Sequence, residues 1–107
     1  MKFLSICKVT DAAALCPPSV MRQLLEATLA WMDAQKKAGI ILEAYAMPGG
    51  RTAVICQHPS ADEAAQAIAS IPMGAFMNFE VYALADAGAT MKAYLETVKR
   101  AEKLVPK

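Results

Sequence analysis

The alternation of apolar and polar side chains changes period several times along this chain, and each change marks an element. Residues 2–10 (KFLSICKVT) are apolar and rich in types that suit a pleated strand, so a first strand is expected there. Residues 11–18 read as a loop closed by the Pro17-Pro18 pair. From Ser19, a residue suited to an N-cap, apolar positions recur at Met21, Leu24, Leu25, Thr28, Trp31 and Met32 with the period of a helix. Lys36 and Lys37 suit the negative end of that helix, and Gly39 can take the left-handed conformation that stops it.

Residues 40–47 (IILEAYAM) form the second expected strand. The run Pro48-Gly49-Gly50-Arg51 supplies a tight turn, and residues 52–57 (TAVICQ) return antiparallel. Ser60-Ala61-Asp62-Glu63 is a capping box, in which the serine hydroxyl accepts from a backbone N–H while the glutamate reaches back. The helix that follows carries Ala64, Ile68 and Ile71 and stops at Pro72. Residues 73–77 are a loop, and residues 78–84 (NFEVYAL) alternate as a fourth strand. After Gly88 a last helix places Met91, Tyr94, Leu95, Val98 and Leu104 roughly on one face.

The order β-α-β-β-α-β followed by a helix is the ferredoxin-like α+β pattern, with a four-stranded antiparallel sheet plus an extra C-terminal helix. Residues 1–107 read as one domain, with a core at 1–85 and a helical extension at 86–107. Two helices cover only one face of such a sheet, so the other must meet solvent, a ligand or a second subunit. Composition points the same way. The chain is 56% hydrophobic, above the usual ~45–50%, and the part of the excess that is not alanine asks for an interface or an apolar cavity.

A net charge of +1 leaves no electrostatic footprint for nucleic acid or an anionic membrane, and neither is expected as a partner. The basic residues near the end (Lys92, Lys99, Arg100, Lys103, Lys107) are diluted by Asp86, Glu96 and Glu102, as on a solvated helix face. Cys7, Cys16 and Cys56 form neither a CxxC pair nor a Cys/His metal spacing, which suits buried thiols in a reducing compartment. The opening apolar run at 3–7 is short of a signal sequence, and no run approaches the ~18 apolar residues of a membrane span. A cytoplasmic protein is expected.

Cys56 and the single histidine, His58, raise the question of a nucleophilic pair. Alternation puts Val54, Cys56 and His58 on one face of the third strand and Ala53, Ile55 and Gln57 on the other. Same-face neighbours lie roughly 6.5–7 Å apart along a strand, too far for the hydrogen bond such a pair needs. Structural roles are expected for both. Trp31 reads as core, and Met73, Phe76 and Met77 as core filling, with a lid or an interface as the alternative. No GxGxxG, P-loop, HExxH, GxSxG or calcium-loop motif is present, so neither a cofactor nor a metal is expected.

The βαββαβ order, the Gly-Gly hairpin, the S-A-D-E-A helix start and above all the run IPMGAFMNFEVYAL at 71–84 resemble the muconolactone isomerase-like group. The resemblance spans about residues 1–85, and the helix from about 89 to 103 lies outside it. It implies a dimeric α+β barrel: two subunits set their open sheet faces together, with a pocket on that side of each sheet, in a homodimer or a multiple of dimers. It also implies a small-molecule ligand and a cofactor-independent isomerase acting by proton transfer. Alternatives hosted by the same superfamily are a non-catalytic small-molecule binding or stress-associated dimer and a cofactor-free monooxygenase. A lactone carboxylate calls for cationic or histidine residues on the pocket side, where this chain offers only Lys8, and no catalytic residue is carried over from the group.

Alternation then gives a pocket face of Leu4, Ile6 and Lys8; Ile41, Glu43 and Tyr45; Ala53, Ile55 and Gln57; and Asn78, Glu80 and Tyr82. The opposite face, with Leu42, Ala44, Ala46, Phe79, Val81 and Ala83, is apolar as a helix-covered face should be. Glu43 and Glu80 are the catalytic candidates, because a carboxylate among apolar walls is driven toward taking up a proton at neutral pH. Lys8, Tyr45 and Tyr82 are donors for a developing oxyanion, and Gln57 and Ile6 complete the ligand-binding set. The plainer reading is that both glutamates are solvated, or pair across an interface with Lys8 or Arg51.

Overall fold

The computed structural model describes residues 1–105. Lys107 of the basic cluster, with the last two positions of the extension, lies outside the described residues. The elements are β1 (Lys2–Val9), a 3-10 turn (Asp11–Leu15), α1 (Pro18–Lys37), β2 (Ile41–Met47), β3 (Arg51–Gln57), α2 (Ala61–Ala69), a second 3-10 turn (Gly74–Phe76), β4 (Met77–Leu84) and α3 (Ala87–Leu104). The four strands form one antiparallel sheet in the order β2-β3-β1-β4. That is the ferredoxin-like order, with both core crossovers made by helices on one face.

The local signals explain most boundaries. Gly39 stops α1 at φ 74°, and Gly49 and Gly50 turn the β2–β3 hairpin at φ 89° and 76°, a region closed to most side chains. The Ser60 hydroxyl accepts from the Glu63 backbone N–H at 3.2 Å, the serine half of the capping box. Two starts differ from expectation. The stretch at 11–18 is not a plain loop but holds a 3-10 turn, and α1 begins at Pro18 with Pro17 as its cap, ahead of Ser19. Pro18 fits the first helical position because its missing N–H has no partner there in any helix. Asp86, not the vicinity of Gly88, starts α3: its carboxylate accepts from the Ala89 N–H at 2.7 Å.

Strand register fixes which side chains share a face. Across β2, β3, β1 and β4 one row runs Tyr45–Ala53–Ile6–Glu80 and the next Glu43–Ile55–Leu4–Tyr82. A bulge between Ile41 and Glu43 breaks the alternation of β2, so Ile41 pairs with Cys56 and turns to the helix side, where it is 6% exposed. Its expected place beside Glu43 and Tyr45 is therefore corrected. The opposite face carries Phe3, Ser5 and Cys7 from β1, all buried, with Thr52, Val54 and Cys56 from β3. Phe3, Cys56 and Ala64 form a buried cluster of the core.

The third helix is separate from that core. Every described residue beyond Glu80 is exposed, and none of α3 is buried. Met91, Tyr94, Leu95 and Val98 keep the i, i+3, i+4, i+7 spacing of one stripe, and Leu104 falls off it. The radius of gyration is 19.4 Å, against roughly 13 Å for a compact domain of this length, and the long axis reaches 70 Å because α3 projects outward. No helix among the described residues is long and apolar enough to cross a membrane.

Candidate functional site

The sheet face under the helices is made of small side chains. Ser5 and Cys7 on β1 and Thr52, Val54 and Cys56 on β3 occupy positions where a helix-covered sheet normally carries larger aliphatic groups. A helix rides at roughly 10 Å above a sheet, so a floor this shallow leaves space beneath α1. The space is a cavity of about 260 Å³. Leu25, Thr28, Leu29, Trp31, Met32 and Gln35 of α1 form its roof, Ala67, Ile68, Ile71 and Met73 close one side, and Met77 and Phe79 of β4 with His58 complete the lining.

Hydrogen bonds hold these walls in place. The Trp31 indole N–H donates to the Ser70 hydroxyl at 3.2 Å, and that hydroxyl donates to the Ala67 carbonyl at 2.6 Å. The Met73 backbone N–H donates to the Thr28 hydroxyl at 3.2 Å. Together they tie α1 to the end of α2. Trp31, expected as core, is half-buried and lines the cavity, and Met73 and Met77 line it too. His58 is pinned through its backbone, its N–H donating to the Met1 carbonyl at 2.9 Å while its carbonyl accepts from the N-terminal amine at 3.0 Å. Its half-buried ring lies 6.1 Å from the ring of Phe3.

The lining is mainly apolar, with a few hydroxyls, one amide and three ionisable groups: Cys7, Cys56 and His58. Burial pushes both thiols above their usual range, and hydrogen bonds from Thr52 offset this only in part at Cys7. Protonated thiols are poor nucleophiles and poor metal ligands. Cys56 donates weakly to the Phe3 carbonyl at 3.9 Å. His58 supplies the one imidazole of the lining. Among the described residues no group of three or more His, Cys, Asp or Glu side chains gathers where a metal ion would sit.

The residues expected to form the site lie on the other face. Ile6 is half-buried there, and Lys8, Glu43, Tyr45, Glu80 and Tyr82 are exposed. Glu43 is on edge strand β2 and Glu80 on edge strand β4, three strand spacings apart and thus on the order of 15 Å. The two carboxylates do not form a pair within one chain. Glu80 accepts from the Tyr82 hydroxyl at 2.8 Å, and the carboxylate pushes that phenol's pKa up. Gln57 sits at the sheet end, where its side-chain N–H donates to the Gly39 carbonyl at 2.8 Å and ties β3 to the end of α1. None of these residues lines that cavity. Its sequence signal is the run of small residues at positions 5, 7, 52, 54 and 56.

No protein-family model matches the chain, and no curated protein sequence matches it. Among solved structures, it is similar to 5-chloro-2-hydroxyhydroquinone dehydrochlorinase (TftG) from Burkholderia phenoliruptrix AC1100 in complex with 2,5-dihydroxybenzoquinone. The TM-score is 0.61 at 18% identity, over 83% of this chain and 98% of that one. What the two share at that identity is the fold, and the chain is an α+β protein of the ferredoxin-like kind with a helix added after β4.

Proposed function

We propose that this protein binds a small, largely apolar ring compound in the cavity between its sheet and helices, and that His58 moves a proton on it without a cofactor. The observation that carries the reading is an apolar cavity of about 260 Å³ with a single imidazole in its wall. An engineered apolar cavity of roughly 150 Å³ takes benzene, so this one has room for a substituted ring. Ser5, Thr52 and Gln35 offer hydrogen bonds that orient hydroxyl or carbonyl substituents, in the mixture typical of small-molecule sites. The fold-mate TftG is described with 2,5-dihydroxybenzoquinone, a compound of this size class. An isomerisation, as the resemblance to the muconolactone isomerase-like group implies, needs a group that takes a proton from carbon and returns it elsewhere.

On this reading the open sheet face, with Glu43, Glu80, Lys8, Tyr45 and Tyr82, is the surface that a second copy covers. A second reading, a carrier without turnover, is favoured by the protonated state that burial enforces on both lining thiols. The test is titration with hydroquinone and 2,5-dihydroxybenzoquinone, followed by the fluorescence of Trp31, the only tryptophan. Saturable quenching that Val54→Phe shifts or abolishes while Glu80→Gln leaves it alone supports the cavity. Quenching lost in Glu80→Gln and kept in Val54→Phe contradicts it.

A further inference from the structure

The helix-covered face is itself incompletely covered. Toward β4 a second, open groove of about 460 Å³ runs between α2 and the strand, lined by Ala61, Ala64, Ala65 and Ile68 of α2 and by Val81 and Ala83 of β4. Its walls are mostly alanine, so the groove accepts large side chains. The chain also carries the matching element. The stripe of α3 presents Met91, Tyr94, Leu95 and Val98, exposed at 66, 67, 51 and 41%. We propose that α3 of a second copy of this chain seats in the α2/β4 groove, and that the two copies exchange these helices reciprocally.

Two observations choose this occupant. First, α3 is held off its own body: Ala85 and the Asp86 cap alone separate it from β4, and none of its residues is buried. Second, Lys92, Lys99 and Lys103 line one flank of the α3 stripe, with Lys99 paired to Glu96 of the same helix at 3.4 Å, while the first turn of α2 carries Asp62 and Glu63. A helix laid antiparallel to α2 brings Lys103 onto those carboxylates. A two-fold axis makes the contact self-complementary. The inference stands apart from the ligand reading, since the groove and the cavity beneath α1 are different spaces.

The test is thiol cross-linking in trans, on the full chain with Cys16→Ser to remove the half-exposed native thiol. One chain carries Ala65→Cys and another Val98→Cys, and the two are mixed and treated with a short bismaleimide. The expected product is a covalent heterodimer, while a chain carrying both substitutions gives cross-linked dimers and not a closed monomer. The pair Ala61→Cys and Ala101→Cys repeats the measurement should the first disturb folding, as judged by circular dichroism. Leu95→Glu is expected to weaken self-association at least tenfold in sedimentation, with hydroquinone binding retained. Intrachain cross-links at all concentrations, or none with either pair, overturn the proposal.

Discussion

The two faces of one sheet, built from the same four strands, differ in what they leave room for. The helix side carries Phe3, Ser5, Cys7, Thr52, Val54 and Cys56, and its small members open an apolar cavity. The open side carries Lys8, Glu43, Tyr45, Glu80 and Tyr82, a more polar and exposed set that does not line that cavity. Polarity drew the chemical expectation to the open side. Volume points to the other. A cavity needs missing bulk opposite a fixed wall, and missing bulk shows in a sequence as small residues at buried positions.

The sharpest way to break the contrast is to fill the space. Val54→Trp is expected to weaken hydroquinone binding at least ~100-fold while costing about 1–3 kcal/mol or less of stability, the ordinary range for overpacking when there is no void. The counterpart on the open face, Ile6→Trp, should leave binding within about twofold on this account. Next in size is the core. Phe3→Ala, at 3% exposure, is expected to cost about 3–5 kcal/mol in urea unfolding, a large part of the ~5–15 kcal/mol that holds a small domain folded. Ile6→Ala should cost less than half as much, because Ile6 is already half-exposed.

The roles of the ionisable groups separate next. Once a substrate is found, His58→Gln is expected to lower kcat by roughly 10²–10⁴-fold, the usual weight of general acid–base catalysis, with KM little changed. Glu80→Gln should leave kcat within about threefold, and equal losses in the two variants would remove the distinction drawn between the faces. The thiols give a milder contrast. At pH 8, Cys7 and Cys56 should react with a thiol reagent far more slowly than Cys16, and ligand should slow them further. Their raised folded-state pKa values mean that the unfolded chain ionises its thiols first, above about pH 8.5. Stability should then hold below that pH and fall as pH rises past it, a fall that Cys56→Ala diminishes. The smallest effect expected is that of Tyr82→Phe, which removes an exposed hydrogen bond to Glu80 at a cost below about 1 kcal/mol.

How much of this was legible in the sequence depended on whether the signal was local. Gly39, Gly49-Gly50 and Ser60 act through their own backbone, and their elements lie within a residue or two of expectation. The order of elements along the chain followed from helix and strand periods. Ile41 was misplaced because a bulge interrupts alternation, and no local residue type announces it. Trp31 and His58 were read as inert because periodicity tells only which face a side chain occupies, not whether that face is filled. Their part in the cavity wall depends on the summed volume of five small residues on two strands brought together by pairing. The α3 stripe was plain from spacing, whereas the outward course that the helix takes two residues after β4 has no local signal in the sequence.

The central claim is that the ligand site lies beneath the helices and not on the open sheet. Backbone amide shifts of the isotopically labelled protein, followed by NMR during titration with hydroquinone, test it most directly. The account predicts saturable shifts concentrated at Ser5, Val54, His58 and Met73, with Ile6, Glu43, Glu80 and Tyr82 unmoved. Shifts confined to that second group, or none that saturate, would contradict it.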